Sequence, residues 1–225
     1  CIVDASNLER NLYLVSQILD MGLPVVVVLN MCDVADSRGM TIDETALAKR
    51  LGVPVIKTQA HRRQGLDAVR QAVAVVAAST REMPSPQIFP EPFYAECEKL
   101  NEHLTAGGVK TIPDYLVHRL ILDPGGCVET QYAAQTGNDL PRYLTQCRER
   151  LSEAGCRVPA MEPQKRYAWI REILEGIVTR PNAHAVTFSD KLDRVFTHKF
   201  AGLMIFCVLM FIVFQAIYAW AGPFM

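Results

Sequence analysis

With 225 residues, 50% of them hydrophobic and 21% charged, the chain is long enough for one or two folded units with real cores and is not compositionally disordered. A formal net charge of −1 argues against a general nucleic-acid binder, whose phosphate contacts demand an excess of Lys and Arg. Seven Cys without a C-x-x-C pair indicate neither a disulfide framework nor a zinc knuckle, and fit reduced cytoplasmic thiols.

The first third alternates helix and strand. Leu8, Leu12, Val15 and Leu19 recur at helical spacing within Asn7 to Met21, and Gly22 stops that helix. Pro24 opens an apolar strand, Val25 to Leu29. Thr41, with Glu44 three residues on, reads as a capping box for a helix running to Leu51 and ended by Gly52. Val53 to Ile56 forms the next strand, and Leu66, Val69, Val73 and Val76 another helical stripe. An apolar strand between amphipathic helices predicts a parallel sheet covered on both faces, with ligands at the carboxyl ends of its strands. Asn30 and Asp33 fall at such an end. A carboxylate there can accept two hydrogen bonds from the ring N–H and exocyclic amine of guanine, donors that adenine lacks. The same two side chains also suit a turn in which they satisfy backbone N–H groups.

The stretch "VDASNLERNLYLVSQILDMGLPVVVVLNMCDVAD" (3–36) resembles the GTP-binding domain of the ferrous iron transport protein B (FeoB) family. In that family the usual guanine element Asn-Lys-x-Asp takes the form Asn-Met-x-Asp, matched by Asn30, Met31, Cys32 and Asp33. The resemblance implies that Asn30 and Asp33 read the base, with the Met31 stem covering it as the stem of a Lys does. It also implies a second base-side loop after the next strand, of Ser-Ala-x form. Here "VIKTQAHRRQGLDAV" (55–69) offers Gln59, Ala60 and His61: Ala60 matches, and Gln59 departs from the usual Ser. His61, Arg62 and Arg63 otherwise read as a solvated basic loop.

Phosphate binding and hydrolysis need a Gly-rich loop with its Lys and Ser/Thr, and Mg²⁺ ligands. No G-x-x-x-x-G-K-[ST] occurs in the sequence. "AGGVKT" (106–111) has the wrong spacing, and "DPGG" (123–126) lies in the wrong order and reads as a turn. The expectation is an N-terminally incomplete GTPase domain that does not hydrolyse GTP alone and holds no catalytic and no metal-binding residue.

Pro84, Pro86, Pro90 and Pro92 mark the end of the first unit. Beyond them Phe93, Cys97, Leu100 and Leu104 make a helical stripe, with Glu96, Glu98, Lys99 and Glu102 on the other face. Tyr115, Leu116, Arg119, Leu120 and Leu122 suggest a second helix, and Tyr143, Leu144, Cys147 and Leu151 a third. The acidic residues with His103 read as a solvated face in preference to a metal site, because they do not share one side of a helix. By resemblance this is the small helical domain that couples the GTPase domain to the membrane, and 166 onward is the approach to the first membrane helix. There Leu192, Val195, Phe196 and Lys199 are spaced as an amphipathic turn set at a bilayer surface, with Ser189 a candidate cap. Thr187, Ser189 and Asp190 read as capping and anchoring residues before they read as transmitters of nucleotide state.

Ala201 to Ala221 carries no charge and only Gln215 as a strongly polar side chain, and its 21 residues at about 1.5 Å each suffice to cross a hydrocarbon core. Tyr218 and Trp220 suit the far interface, and Lys191, Arg194 and Lys199 place the bulk of the chain on the cytoplasmic side. Met204, Cys207 and Met210 read as packing residues before iron ligands, since soft sulfur favours copper(I) over Fe²⁺. Gln215 is suited to an interhelical hydrogen bond.

The fold expected is therefore α/β, the C-terminal part of a P-loop GTPase-like parallel-sheet domain (1–82), then a small all-α domain (83–165), an amphipathic linker (166–199) and one transmembrane helix (200–222). The resemblance implies part of a GTP-regulated Fe²⁺ importer of the cytoplasmic (inner) membrane, with GTP or GDP as cofactor and Mg²⁺ in the complete protein. Its partners would be guanine nucleotide, Fe²⁺ as cargo, the lipid bilayer and further transmembrane segments, with a second copy of the chain left open. The alternative is a membrane-tethered, non-catalytic interaction module with a degenerate GTPase-like fold.

Overall fold

The computed structural model describes residues 1–79, 85–110, 112–136, 139–179 and 188–221. Pro84 of the expected boundary and Thr187 of the membrane approach lie outside the described residues. Three strands, β1 (Ile2–Asp4), β2 (Val27–Asn30) and β4 (Val55–Lys57), form a parallel sheet of order β1-β2-β4. The valine run alternates across it, as a period of two requires. Val25, Val27 and Leu29 face one side, where Leu8, Leu12, Val15 and Leu19 of α1 (Leu8–Asp20) and Leu47 and Leu51 of α3 (Glu44–Leu51) close the core. Val26 and Val28 face the other, against Val69, Ala72 and Val76 of α4 (Leu66–Ala78). Both faces are covered, as the apolar run predicts. Each fully buried Leu or Val contributes on the order of 1.5–3 kcal/mol, so α1, with three such leucines and Val15, is the main clamp on that side.

Two local readings are corrected. The ladder runs through Asn30, paired with Asp4 across β1, so Asn30 is the last strand residue and not the first beyond it. Thr41 does not cap α3. Its backbone is taken up in β3 (Thr41–Ile42), antiparallel to β5 (Val178–Thr179), and the cap falls to Asp43, whose Oδ1 accepts from the Ala46 N–H at 3.0 Å. Gly52 ends α3 in the left-handed conformation, as expected.

Helices α5 (Glu91–Ala106), α6 (Asp114–Leu122), α7 (Cys127–Thr136) and α8 (Asp139–Glu153) enclose a second apolar core around Phe93, Leu100, Leu120, Leu144 and Leu151. The sequence reading misses α7 because it buries none of its residues and has no apolar stripe to detect. "DPGG" is the α6–α7 turn. Glu96 is the other correction. It is 5% exposed, not solvated, and Arg150 grips both its oxygens while Lys99 donates at 2.8 Å. These hydrogen bonds, Arg150's first, hold its carboxyl at about 2 against an ordinary 4.5. A carboxylate with a depressed folded pKa contributes its stability above the unfolded value and loses it as pH falls. The urea midpoint of the detergent-solubilised chain should therefore drop between pH 4.5 and about 2, and Glu96→Gln should flatten that part of the profile. His103 stacks on Tyr143 at 4.0 Å and lies 3.4 Å from Asp139, so it is engaged away from the acidic residues of α5.

Helix α9 (Met161–Leu174) departs most from expectation. The stretch from 166 reads as linker, yet residues up to 179 belong to the compact unit Cys1–Arg180. Ile170, Ile173 and Leu174 complete the sheet-side core, Met161 belongs to the helical core, and Trp169 packs against both. Arg166, 2% exposed, lies in the seam. It donates to Glu162 at 3.0 Å and to Ser16 at 3.2 Å, pairs with Asp20, and sits 5.2 Å over the Phe89 ring. Arg50 braces the same helix by donating to the carbonyls of Glu172, Ile173 and Glu175.

A second unit contains α10 (Phe188–Phe196) and α11 (Ala201–Ala221). Ser189 falls inside the first turn of α10, not at its cap. Helix α11 is long and apolar enough to cross a membrane by length and composition. Met204, Cys207 and Gln215 are exposed along it.

Candidate guanine site

The carboxyl ends of β2 and β4 bring the predicted residues together. Met31 turns the chain out of β2 in the left-handed conformation (φ 60°), which starts α2 (Cys32–Ser37) within one residue and sets Asp33 in its first turn. Cys32 points inward, with its thiol on the Leu29 carbonyl at 3.2 Å. On the neighbouring strand the loop 59–64 is closed by a reciprocal pair of backbone hydrogen bonds between Gln59 and Gln64, and a 3-10 turn, Ala60–Arg62, sits at its tip.

Asn30 ties the two ends. Its Oδ1 accepts from the Ala60 N–H at 3.1 Å and from the Thr58 hydroxyl at 3.3 Å. Of the two roles the sequence leaves open for this amide, its oxygen takes the bracing one. Thr58, 4% exposed and also bonded to the Leu29 carbonyl, is the residue that sequence reasoning missed. The signal was a small hydroxyl residue at the end of a strand, beside a strand that ends in Asn.

Asp33 behaves differently. One oxygen, Oδ2, lies 3.6 Å from the His61 imidazole, whereas Oδ1 is buried without a hydrogen-bond partner. An unpaired buried carboxylate oxygen costs on the order of 1–3 kcal/mol, so the geometry suits an incoming N–H donor. Gln59 Oε1 is likewise buried without a partner. His61 has 59% of its side chain exposed, and Met31 is 43% exposed above the strand end. Arg62 and Arg63 are solvated, as read from sequence. Asn30, Thr58 and Ala60 line one end of a largely apolar groove of about 810 Å³ that continues along Leu66, Val69 and Val73; Asp33 stands beside it, next to His61.

Gly65 fixes the loop from behind. Its φ of +80° is costly for other residues, and a Cβ there would stand 2.4 Å from the Lys57 carbonyl oxygen. Gly65→Ala should cost about 2 kcal/mol or more, read as a lowered thermal midpoint of the solubilised chain.

Comparisons with known proteins find similarity in sequence and in fold. Residues 1–73 match the family model described as "Ferrous iron transport protein B". The chain is 29% identical over 213 residues, 95% of its length, to the Fe(2+) transporter FeoB of Escherichia coli, and 27% identical to that of Salmonella typhimurium. It spans about a quarter (26%) of the length of the Escherichia coli relative. Among solved structures, the cytosolic domain of L. pneumophila FeoB superposes with a TM-score of 0.65 at 27% identity, covering 80% of this chain and 66% of that one. A variant of S. thermophilus NFeoB bound to GDP gives 0.68 at 28% identity, covering 79% and 67%. Sequence and fold are thus similar to those of the ferrous iron transport protein B family, with the match to its model lying in residues 1–73.

Proposed function

We propose that this chain supplies the guanine-reading and membrane-proximal part of a GTP-regulated Fe²⁺ importer of the cytoplasmic membrane. The observation that carries the reading is the buried, unpartnered Asp33 Oδ1 beside a loop that Asn30 braces through Ala60. The ring N–H and amine of guanine match that acceptor, and adenine would leave it unpaired. Asn30, Met31, Asp33, Gln59, Ala60 and His61 form the base-side set. In it Asn30 positions the loop, Asp33 accepts from the base, Met31 covers it, and the exposed His61 moves aside. The S. thermophilus relative is bound to GDP in one solved structure and to GMPPNP in another, which supports guanine nucleotide as ligand. The residues present fit the base but not Mg²⁺ or phosphate. No G-x-x-x-x-G-K-[ST] occurs in the sequence, and "DPGG" forms the α6–α7 turn.

Helix α2, which carries Asp33, runs by way of Met40 into β3, and β3 pairs with β5 near the carboxyl end of the first unit. In this reading 1–82 is the nucleotide part, the helices after it are regulatory, and α11 crosses the bilayer with the rest of the chain on the cytoplasmic side. Proteoliposomes containing the full-length importer test it. Fe²⁺ uptake should rise with GTP and not with ATP, and Asn30→Ala, which releases the Ala60 loop, should weaken GDP binding about tenfold. Uptake indifferent to guanine nucleotide would refute the proposal.

A further inference from the structure

Helix α10 has no role in the site described above, and its side chains segregate by face. Leu192, Val195 and Phe196 share one side and are 38%, 48% and 54% exposed; Phe200, just beyond, is 70% exposed. Asp193, Arg194 and, at the helix end, Thr197 occupy the other side. Lys199 follows in the join, where a long aliphatic stem can lie along hydrocarbon while the ammonium stays wet. Three to four large apolar side chains on one face of so short a helix, all exposed, require a cover.

The join to α11 is tight. Only residues 197–200 separate the two helices, and hydrogen bonds tie the segment at both ends: Thr197 N–H donates to the Asp193 carbonyl, His198 N–H to that of Val195, and Gly202 N–H to that of His198 at 2.8 Å. The Ala201 N–H donates to His198 Nδ1 at 3.3 Å, satisfying one of the free donors at the start of α11. Gly202 itself is a contact point. A Cβ at that position would lie 2.2 Å from the Phe196 carbonyl oxygen, so only glycine lets α11 begin this close to the end of α10. The elbow is built and is not a slack tether.

We infer that α10 is an interfacial helix whose Leu192–Val195–Phe196 face lies in the headgroup boundary of the bilayer that α11 enters, held at a fixed angle by the glycine elbow at Gly202. The occupant is a lipid surface for two reasons. An apolar helix beginning at Ala201 puts residue 196 within one turn of the hydrocarbon edge, and Arg194, Lys199 and the nearby Lys191 outnumber Asp190 and Asp193, which suits anionic headgroups. The inference rests on α11 being a membrane span, and the test separates the two.

The full chain is reconstituted in phosphatidylethanolamine–phosphatidylglycerol vesicles, with a genetically encoded fluorescent amino acid placed in turn at 192, 193, 195, 196 and 197. Bromolipids should quench positions 192, 195 and 196 several-fold more than 193 and 197, and aqueous iodide should do the reverse. Even quenching at all five positions would overturn the inference, as would shielding of 192, 195 and 196 from both quenchers, which would mean a protein cover or a second copy. Gly202→Leu should erase the periodic pattern while the chain still resists carbonate extraction; a retained pattern would overturn the fixed elbow. Extraction of the unsubstituted chain by carbonate would instead remove the membrane span itself, and the present inference with it.

Discussion

Asp33→Ala in the full-length protein should reduce guanine selectivity, measured as the ratio of GDP to ADP dissociation constants, by about 10- to 100-fold. This is the value of one hydrogen bond to a charged acceptor at roughly 1.5–3 kcal/mol, with about 1.4 kcal/mol per factor of ten. The loss should fall on GDP, because the carboxylate makes no bond that adenine could use. Asp33→Asn tests the same geometry more sharply. Its amide brings an N–H donor to the place of the unpartnered Oδ1, which should repel the guanine amine and favour a base carrying a carbonyl at that carbon, as xanthine does. Xanthosine diphosphate binding that does not gain on GDP in this variant would show that Asp33 does not face the base.

Arg166→Met should produce the largest loss of stability in the chain. The guanidinium is 2% exposed and serves Asp20, Glu162 and Ser16 at once, while Arg119 also reaches Glu162. Methionine preserves much of the apolar contact with Phe89, so what is lost is chiefly charge. A buried ion left without its partner typically costs about 3–5 kcal/mol. Two features distinguish this from a packing defect. Burial already pushes the Asp20 carboxyl up, with Arg166 opposing; without the arginine Asp20 would take up a proton, so the loss should shrink as pH is lowered from 8 to 5. Asp20→Asn on top of Arg166→Met should recover part of the stability, since neighbours in one network are not additive. Urea midpoints of the four chains at the two pH values check both.

What the sequence shows, and where it stops showing, follows from the range of the interactions concerned. The strand Val25 to Leu29 and the four buried leucine and valine positions of α1 were legible because their periodicity is local and unmixed. The proposed base-side residues are picked out because Asn30-Met31-Cys32-Asp33 and Ala60 match a known pattern, and the structure brings both stretches together through one amide oxygen. The Thr41 cap failed because a strand from residue 178 claims that backbone, which no window around 41 contains. Glu96 failed for the same reason: its partner Arg150 lies 54 residues away, and without it a Glu among Glu98, Lys99 and Glu102 reads as solvent-facing. Arg166 reads as the start of the amphipathic linker because three of its four contacts are with residues that its own helix does not carry.

Helix α9 also bears on how the chain reaches its native form. The contacts it makes with α1 join residues 146 and 150 positions apart. Forming them means closing a very long loop before any reward arrives, which is the kind of step that slows folding. Until residue 174 has emerged from the ribosome, the leucine face of α1 has no lid on that side, and the nascent sheet must wait, partly unsealed, for a helix made after the whole second core.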